Sequence, residues 1–342
     1  MQHKTFFWFF LPTGAAMLLF IALPIVSVVI QSVFAPYEAV LIEVENCTPL
    51  VGCTTETTID QDATRELRES QPLGRFVGLG IYLDRGHLAI QELGEAWRGT
   101  DSWGDYWDRV YNLPFYRALA FTLTFTFTVT PLLIALGLVI ALAVNSLHRH
   151  LKGLMIFFSL LPMIVTPLIG ALILFWMVDS RGVLGSALVK LAGDPDFSMK
   201  ASTGLTWIML IVWGVWSSAP FAFVVFYAGL QTLPQDQLES ATIDGATRWQ
   251  RVRYVVIPHL MPLLTFVALM QLMDNFRVLE PIIGFNASAH ASSLSFFIMN
   301  DMGGETRQLS SASATSVLTI MGVAILLFPV LVRTWQDFKR KT

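Results

Sequence analysis

The chain has 342 residues, of which 54% are hydrophobic and only 14% charged, with a formal net charge of −3 and a mean hydropathy of +0.59. This balance excludes intrinsic disorder, a collagen-like repeat and a disulfide-rich secreted scaffold, and it is too apolar for an ordinary soluble domain. Glycine and proline totals of 23 and 16 are unexceptional, so the bias resides in long uncharged runs rather than in low complexity.

Six runs lack Asp, Glu, Lys and Arg: Thr5–Tyr37, Ala118–His148, Gly153–Val178, Ala201–Gln235, Tyr254–Met273 and Gln308–Val332, between 20 and 35 residues each. About 20 apolar residues of helix cross a bilayer core of roughly 30 Å, so each run predicts one span, helical because lipid offers open backbone groups no partner. A seventh run, Pro281–Asn300, is interrupted by Asn286, Ser288, His290, Ser292 and Ser293 and reads as an external loop with a short helix. The first run follows Lys4 but far exceeds a signal-peptide apolar region of about 7–15 residues, and is read as a retained anchor. The expectation is an all-α integral membrane fold of six spans. Residues 1–36 form the first span and 37–116 an external insert; 117–335 are a five-helix core with a loop at 231–258, and 336–342 a basic tail.

Charge sets the orientation. Lys4, then Arg149 and Lys152, then Arg248, Arg251 and Arg253, then Arg333, Lys339, Arg340 and Lys341 fall on alternate sides of a six-span chain, which predicts cytoplasmic termini. The segment Glu38–Tyr116 holds 14 acidic and 6 basic residues and is assigned to the outside. Cys47 and Cys53 lie there with Pro49 and Gly52 between them, so a small-loop disulfide is the favoured reading, while the absence of an accompanying His argues against a metal site.

The stretch Gly229 to Pro258 carries the functional signal. Pro234 opens a short helix on which Leu238, Ala241 and Thr242 share a face; Gly245 after Asp244 permits a sharp bend; a second helix begins near Ala246 and ends before Pro258. Such a helix-turn-helix protrudes as a rigid knob. With Glu239, Ser240, Ala241, Asp244, Gly245, Ala246 and Pro258 at these spacings, the stretch resembles the EAA loop of ATP-binding-cassette importer permeases, with Ser240, Val255 and Ile257 departing from the usual residues. The resemblance implies that this loop couples to a nucleotide-binding ATPase through its first short helix. No Gly-Lys pair occurs, so no Walker-type P-loop is present, and ATP with its magnesium belongs on a partner chain while this one binds no cofactor.

Two further segments are similar to the carbohydrate, MalF-like class of these permeases: Phe76 to Tyr82, and Phe115-Tyr116-Arg117-Ala118-Leu119-Ala120-Phe121-Thr122. In that comparison Leu83–Pro114 and most of Tyr37–Arg75 are insertions, and Gly284 to His290 replaces the usual motif after the fifth span. The implied partners are a second homologous permease, two ATPase subunits, a solute-binding protein and membrane lipid, with no nucleic acid; the implied function is carbohydrate import across a bacterial inner membrane by alternating access.

Polar residues in the spans are candidates for a solute path. Gln271, Asp274, Asn275, Arg277 and Glu280 cluster in the fifth span, where charge is costly and turns inward. They read either as a polar lining for a sugar passage or as an ion-paired staple between spans. Trp213, Trp216, Ser217, Ser218 and Tyr227 in the fourth span mix aromatic faces with hydroxyls, a combination that suits sugars and equally serves packing or interface anchoring. Competing readings are a permease for another polar solute such as glycerol phosphate, which a dense basic cavity would favour, and a membrane enzyme using His87 and the carboxylates of the insert, for which no catalytic spacing appears.

Overall fold

The structure is a computed structural model that describes residues 3–341 except 36, 38, 39, 49–51, 72, 101, 195, 196 and 304–307. The described chain is mostly helical, with five helices long and apolar enough to cross a membrane: Phe7–Gln31, Pro114–Ser146, Thr203–Gln231, Arg248–Phe276 and Leu309–Val332. The third run differs from its expectation. It forms two helices, Arg149–Ile164 and Pro167–Val178, bent by 95° at the break. Proline disfavours an α conformation in the residue before it, and Thr166 accordingly adopts an extended ψ of 139° as the cap of the second helix.

The chain divides into two units, Met1–Tyr116 with Phe297–Thr319, and Arg117–Phe296 with Ile320–Thr342. In the first unit the apolar helix Phe7–Gln31 has no buried residues in its most apolar window, as a helix solvated by lipid requires. It contains a π turn, Leu18–Ala22, directly before Leu23 and Pro24. The same arrangement recurs in the second unit, where the π turn Val252–Val256 precedes Ile257 and Pro258. Proline lacks an N–H and collides with the carbonyl four residues back; the wider turn relieves both faults without ending the helix.

The insert corrects the all-α expectation. Phe34–Ala35 pairs antiparallel with Arg75–Phe76, and Leu41–Thr48 pairs with Gly52–Ile59 in a hairpin. Threonines at 54, 55, 57 and 58 give the second strand its β-branched character, which periodicity across so short a segment does not reveal. Helix Gln61–Ser70 follows, its cap Asp60 accepting hydrogen bonds from the backbone of Asp62 and Ala63 at 3.0 Å each. Two nine-residue helices, Ile90–Arg98 and Trp103–Tyr111, lead into the second span.

In the second unit, Phe121, Phe125, Val129 and Leu133 recur every four residues on one buried face of the second span. They join a core with Leu210, Trp213, Phe223 and Phe226 of the fourth span, Leu260 and Val267 of the fifth, and Ile282. At Gly137 a Cβ would lie 2.6 Å from that of Ala222 and 2.9 Å from the Phe223 nitrogen, so the helices approach at backbone distance there. The residues after the fifth span form helices Glu280–Gly284 and Leu294–Gly303. The first is not an exposed loop: Pro281, Ile282 and Gly284 are buried, and it packs against Pro167–Val178.

Candidate functional site

A cavity of about 530 Å³ opens where the middle of the fourth span and the end of the fifth meet Pro167. Its lining combines aromatic surface from Phe125 and Trp213, hydroxyls from Ser217, Ser218 and Ser295, and charge from Asp274, Arg277 and Glu280. Trp213 is 3% exposed, and a Cβ on Gly170 would stand 2.3 Å from its Cη2, so glycine there admits the indole. Its ring meets Trp216 at a centroid separation of 5.2 Å and Phe285 at 6.5 Å. The wall carrying the indole is therefore fixed by contacts on several sides.

Helix Ile257–Phe276 ends at the cavity with Arg277 as its C-cap. Arg277 donates to Asp274 Oδ1 at 3.1 Å, and the two side chains are 55% and 54% exposed. They pair with each other within one helix end rather than with a neighbouring span. Asn275 supplies a tie between spans: it is buried and donates from Nδ2 to Thr130 Oγ1 of the second span at 3.0 Å while also lining the cavity. Of the eight residues expected along the solute path, Trp213, Ser217, Ser218, Asp274, Asn275 and Arg277 line this space. Trp216 and Gln271 do not: Trp216 is 46% exposed and Gln271 is buried. Phe125, Pro167 and Ser295 escaped sequence reasoning. Phe125 sits in a run of alternating Phe and Thr that singles out no one face of the span, and the other two are brought in by the break at Thr166 and by the chain after the fifth span.

The knob forms as a second feature. Pro234 caps helix Gln235–Ile243, and Asp244 ends it before Gly245 at φ +76°. Gly245 N donates to Thr242 O and Ala246 N to Ala241 O, at 3.1 and 2.9 Å, the closing bonds that a left-handed glycine makes available. Thr247 and Gln250 then exchange hydrogen bonds in a capping box that opens the next helix, and Arg251 crosses back to donate to Thr242 Oγ1 at 3.0 Å. Contrary to the expectation from sequence, that helix does not end before Pro258; the π turn carries it through into the fifth span. Leu238 anchors the knob on the core, whereas Ile243 and Trp249 are 85% and 68% exposed and Glu239 is exposed. A shallow hollow between Asp236, Ser240, Asp244, Tyr254 and Pro258 separates its two arms.

Elsewhere in the second unit, Lys200 Nζ lies 2.9 Å from Asp179 Oδ2 and 3.4 Å from the centroid of Phe175. Hydrogen bonding from Lys200, then from the Arg181 backbone, holds the Asp179 carboxyl below its ordinary pKa. In the first unit, His87 is 2% exposed and donates from Nε2 to Ser311 O at 3.1 Å, while Ser311 Oγ donates to Asp301 Oδ2 at 2.6 Å. His87 thereby serves as a buried tie rather than a base facing a substrate space. The hairpin register places Cys47 directly opposite Cys53. Among the described residues no cluster of three or more metal-binding side chains occurs.

Residues 133–339 match the family described as binding-protein-dependent transport system inner membrane component. The chain belongs to that family. Its relatives include a probable ABC transporter permease of Sinorhizobium fredii, 30% identical over 167 residues, covering 48% of this chain and 52% of that protein. This chain thus spans about half the length of that relative. A sn-glycerol-3-phosphate transport system permease of Yersinia pestis is 26% identical over 232 residues, covering 65% of this chain and 75% of its own. A trehalose transport system permease of Mycobacterium tuberculosis is also 26% identical, over 228 residues, with coverages of 66% and 72%. In fold, the chain is similar to a chain of a bacterial ABC transporter that imports the acidic polysaccharide alginate, at a TM-score of 0.59 and 20% identity, covering 81% of this chain and 98% of the other. The transport-component family accounts for the apolar helices, and membership makes this an inner membrane permease.

Proposed function

We propose that the chain is the permease subunit of a bacterial importer for an uncharged or weakly charged carbohydrate or polyol. The observation that carries this reading is the cavity of Trp213, Phe125, Ser217, Ser218, Asp274 and Arg277, an aromatic wall facing hydroxyl and charged hydrogen-bonding groups. Aromatic faces accept the C–H surface of a sugar ring, and the polar wall matches its hydroxyls. Relatives named for trehalose and galactooligosaccharide transport support the same class. A phosphate ester fits less well. Arg277 is engaged by Asp274, and Glu280 adds a further negative charge to the lining, so the wall is net acidic.

In this reading the knob around Glu239 to Ala246 docks in a groove of an ATPase subunit, which binds ATP and magnesium; this chain binds neither. A complete importer then needs a second homologous permease, two ATPases and a solute-binding protein that delivers sugar to the cavity side. Both termini and the knob face the cytoplasm by the distribution of basic residues, and the insert faces outward. ATP-driven closure of the ATPases biases the spans between inward-open and outward-open arrangements, and Asp274 and Arg277 present their charges to solute only while the cavity is accessible.

Two measurements test the proposal. An ATPase should co-purify with this chain from native membranes, and Glu239→Lys should weaken its retention. Proteoliposomes holding the assembled importer should take up a neutral di- or oligosaccharide or a polyol in an ATP-dependent manner; uptake of sn-glycerol 3-phosphate alone would overturn the substrate class while leaving the permease reading intact.

A further inference from the structure

The insert carries an aromatic surface that belongs to neither the cavity nor the knob. Trp97, Trp103 and Trp107 are 58%, 66% and 61% exposed. Trp97 packs edge to face on both Trp103 and Tyr106, and Tyr106 on Trp107, with ring centroids 5.2 to 5.6 Å apart. The rings therefore form one continuous patch across two helices. Each helix is two-faced. In Ile90–Arg98, exposed Ile90 and Trp97 stand seven residues apart on one side, with exposed Glu95 on the other and Ala96 buried between. In Trp103–Tyr111, Trp103 and Trp107 stand four apart, Val110 is buried, and Asp105 and Asp108 lie on the far side.

Within the first unit this patch is tied to the end of the first membrane span and to the opening residues of the second. Ser32, the cap of the first span, accepts a hydrogen bond from Tyr82 at 2.6 Å, and Val77 N donates to Val33 O at 2.9 Å. Tyr116, in the first turn of the second span, donates to Leu88 O at 2.9 Å. The last aromatic helix ends at Tyr111, three residues before Pro114 opens that span. Residues 77–113 are therefore tethered at both ends to the termini of helices whose apolar stretches must lie in lipid. Tryptophan and tyrosine combine an apolar ring with a hydrogen-bonding tip, and they concentrate at the level of lipid headgroups. A nine-residue helix with tryptophans on one face and polar groups on another is two-sided, as elements lying in the plane of that interface are.

We infer that helices Ile90–Arg98 and Trp103–Tyr111 form an interfacial anchor, with Trp97, Trp103 and Trp107 inserted at the headgroup level of the bilayer. The occupant of the patch is phospholipid, not sugar or a protein partner. The anchor fixes the depth of the insert, and with it the entrance to the second span, at the membrane surface.

The test uses the full chain reconstituted in phosphatidylcholine vesicles. Lipid brominated near the headgroup end of its acyl chain should quench the emission lost in the triple variant Trp97→Phe, Trp103→Phe, Trp107→Phe at least twofold, while aqueous iodide should leave that emission nearly unchanged. Quenching by iodide with indifference to bromine would overturn the inference. Should the variant fail to reconstitute, radiolytic hydroxyl-radical footprinting of the unaltered chain decides the matter. The three tryptophans should oxidise several-fold more slowly in vesicles than Trp249, which is 68% exposed on the knob. Equal rates would place the patch in water and refute the anchor.

Discussion

Asp274 and Arg277 offer the sharpest test of the cavity, because structure and solute contact predict effects of different size. Their ion pair spans 3.1 Å between residues three apart, with both side chains slightly more than half exposed. A pair so exposed contributes about 0.2–1 kcal/mol, whereas stranding one charge of a buried pair costs about 3–5 kcal/mol. Asp274→Asn and Arg277→Gln should therefore each change the folded population by less than about fivefold, and the yield of assembled complex should hold. A charge-assisted hydrogen bond to a bound solute contributes about 1.5–3 kcal/mol, so either substitution should raise the half-saturating solute concentration roughly 10- to 100-fold. Complex yield by size exclusion, thermal midpoint, and concentration-dependent uptake in proteoliposomes separate the two. If each single variant depresses the yield and the double variant restores it, the pair is a buried structural element and its assignment to the solute path is wrong.

Gly245 sits at φ +76° with no atom of this chain within 4 Å of where a Cβ would stand, so within the chain substitution there acts through backbone strain, about 1–2 kcal/mol for Ala and less for Asn. Uptake should fall in the order Gly, Asn, Ala, Val with spans inserted normally, and an indifferent Val variant would refute a coupling role for the bend. Gly170→Ala places a Cβ 2.3 Å from Trp213 and should cost about 1–3 kcal/mol by overpacking, seen as a lowered thermal midpoint that Trp213→Phe partly restores. The Asp179 pKa is lowered in the fold, so its contribution to stability is present above the ordinary carboxylate pKa and disappears as pH falls through the lowered value. Asp179→Asn should therefore be less stable than the parent at neutral pH and equal to it in acid once the carboxyl is protonated, and a gap independent of pH would refute the pairing with Lys200. Directly opposed residues of an antiparallel pair have Cα atoms about 4.5–5.5 Å apart, within disulfide range, so Cys47 and Cys53 should react with alkylating reagent only after reduction.

The spans were legible because a bilayer imposes one crude requirement, an uncharged helix of fixed length, and five of the six runs meet it as continuous helices. The third broke because Val165-Thr166-Pro167 is a local conformational instruction that hydropathy does not register. Pro258 misled in the opposite direction: proline reads as a helix boundary, yet one extra residue in the preceding turn absorbs it. At the cavity, residues carrying charge inside an apolar run announced themselves, which is why Asp274, Asn275 and Arg277 were found. Phe125 and Ser295 were not, since nothing in their own neighbourhoods distinguishes a cavity wall from a lipid-facing or loop position; only the packing of the second span and of the chain after the fifth puts them there. The insert was least legible, because its strands are short and its helices amphipathic over nine residues.

The knob and the cavity are joined by a single element, and that connection bears on how the proposed importer would work. From Arg248 to Phe276 the chain is one helix of 29 residues, about 43 Å at 1.5 Å per residue. Its first residue follows Thr247, whose capping box fixes the angle at which the knob departs, and its last precedes Arg277, which lines the cavity. In the proposed importer, a displacement of the knob by an ATPase would therefore reach Asp274 and Arg277 without passing through a loop. The helix departs from regular hydrogen bonding at the π turn Val252–Val256, one turn from the knob, and again at Pro262, so bending has two places to concentrate on the knob side of the cavity. Asn275, bonded to Thr130, ties the cavity end of this helix to the second span. In the proposed importer, Asp274, Arg277 and the Asn275–Thr130 tie would thus shift together at one side of the cavity, coupling solute contact to access as alternating access demands.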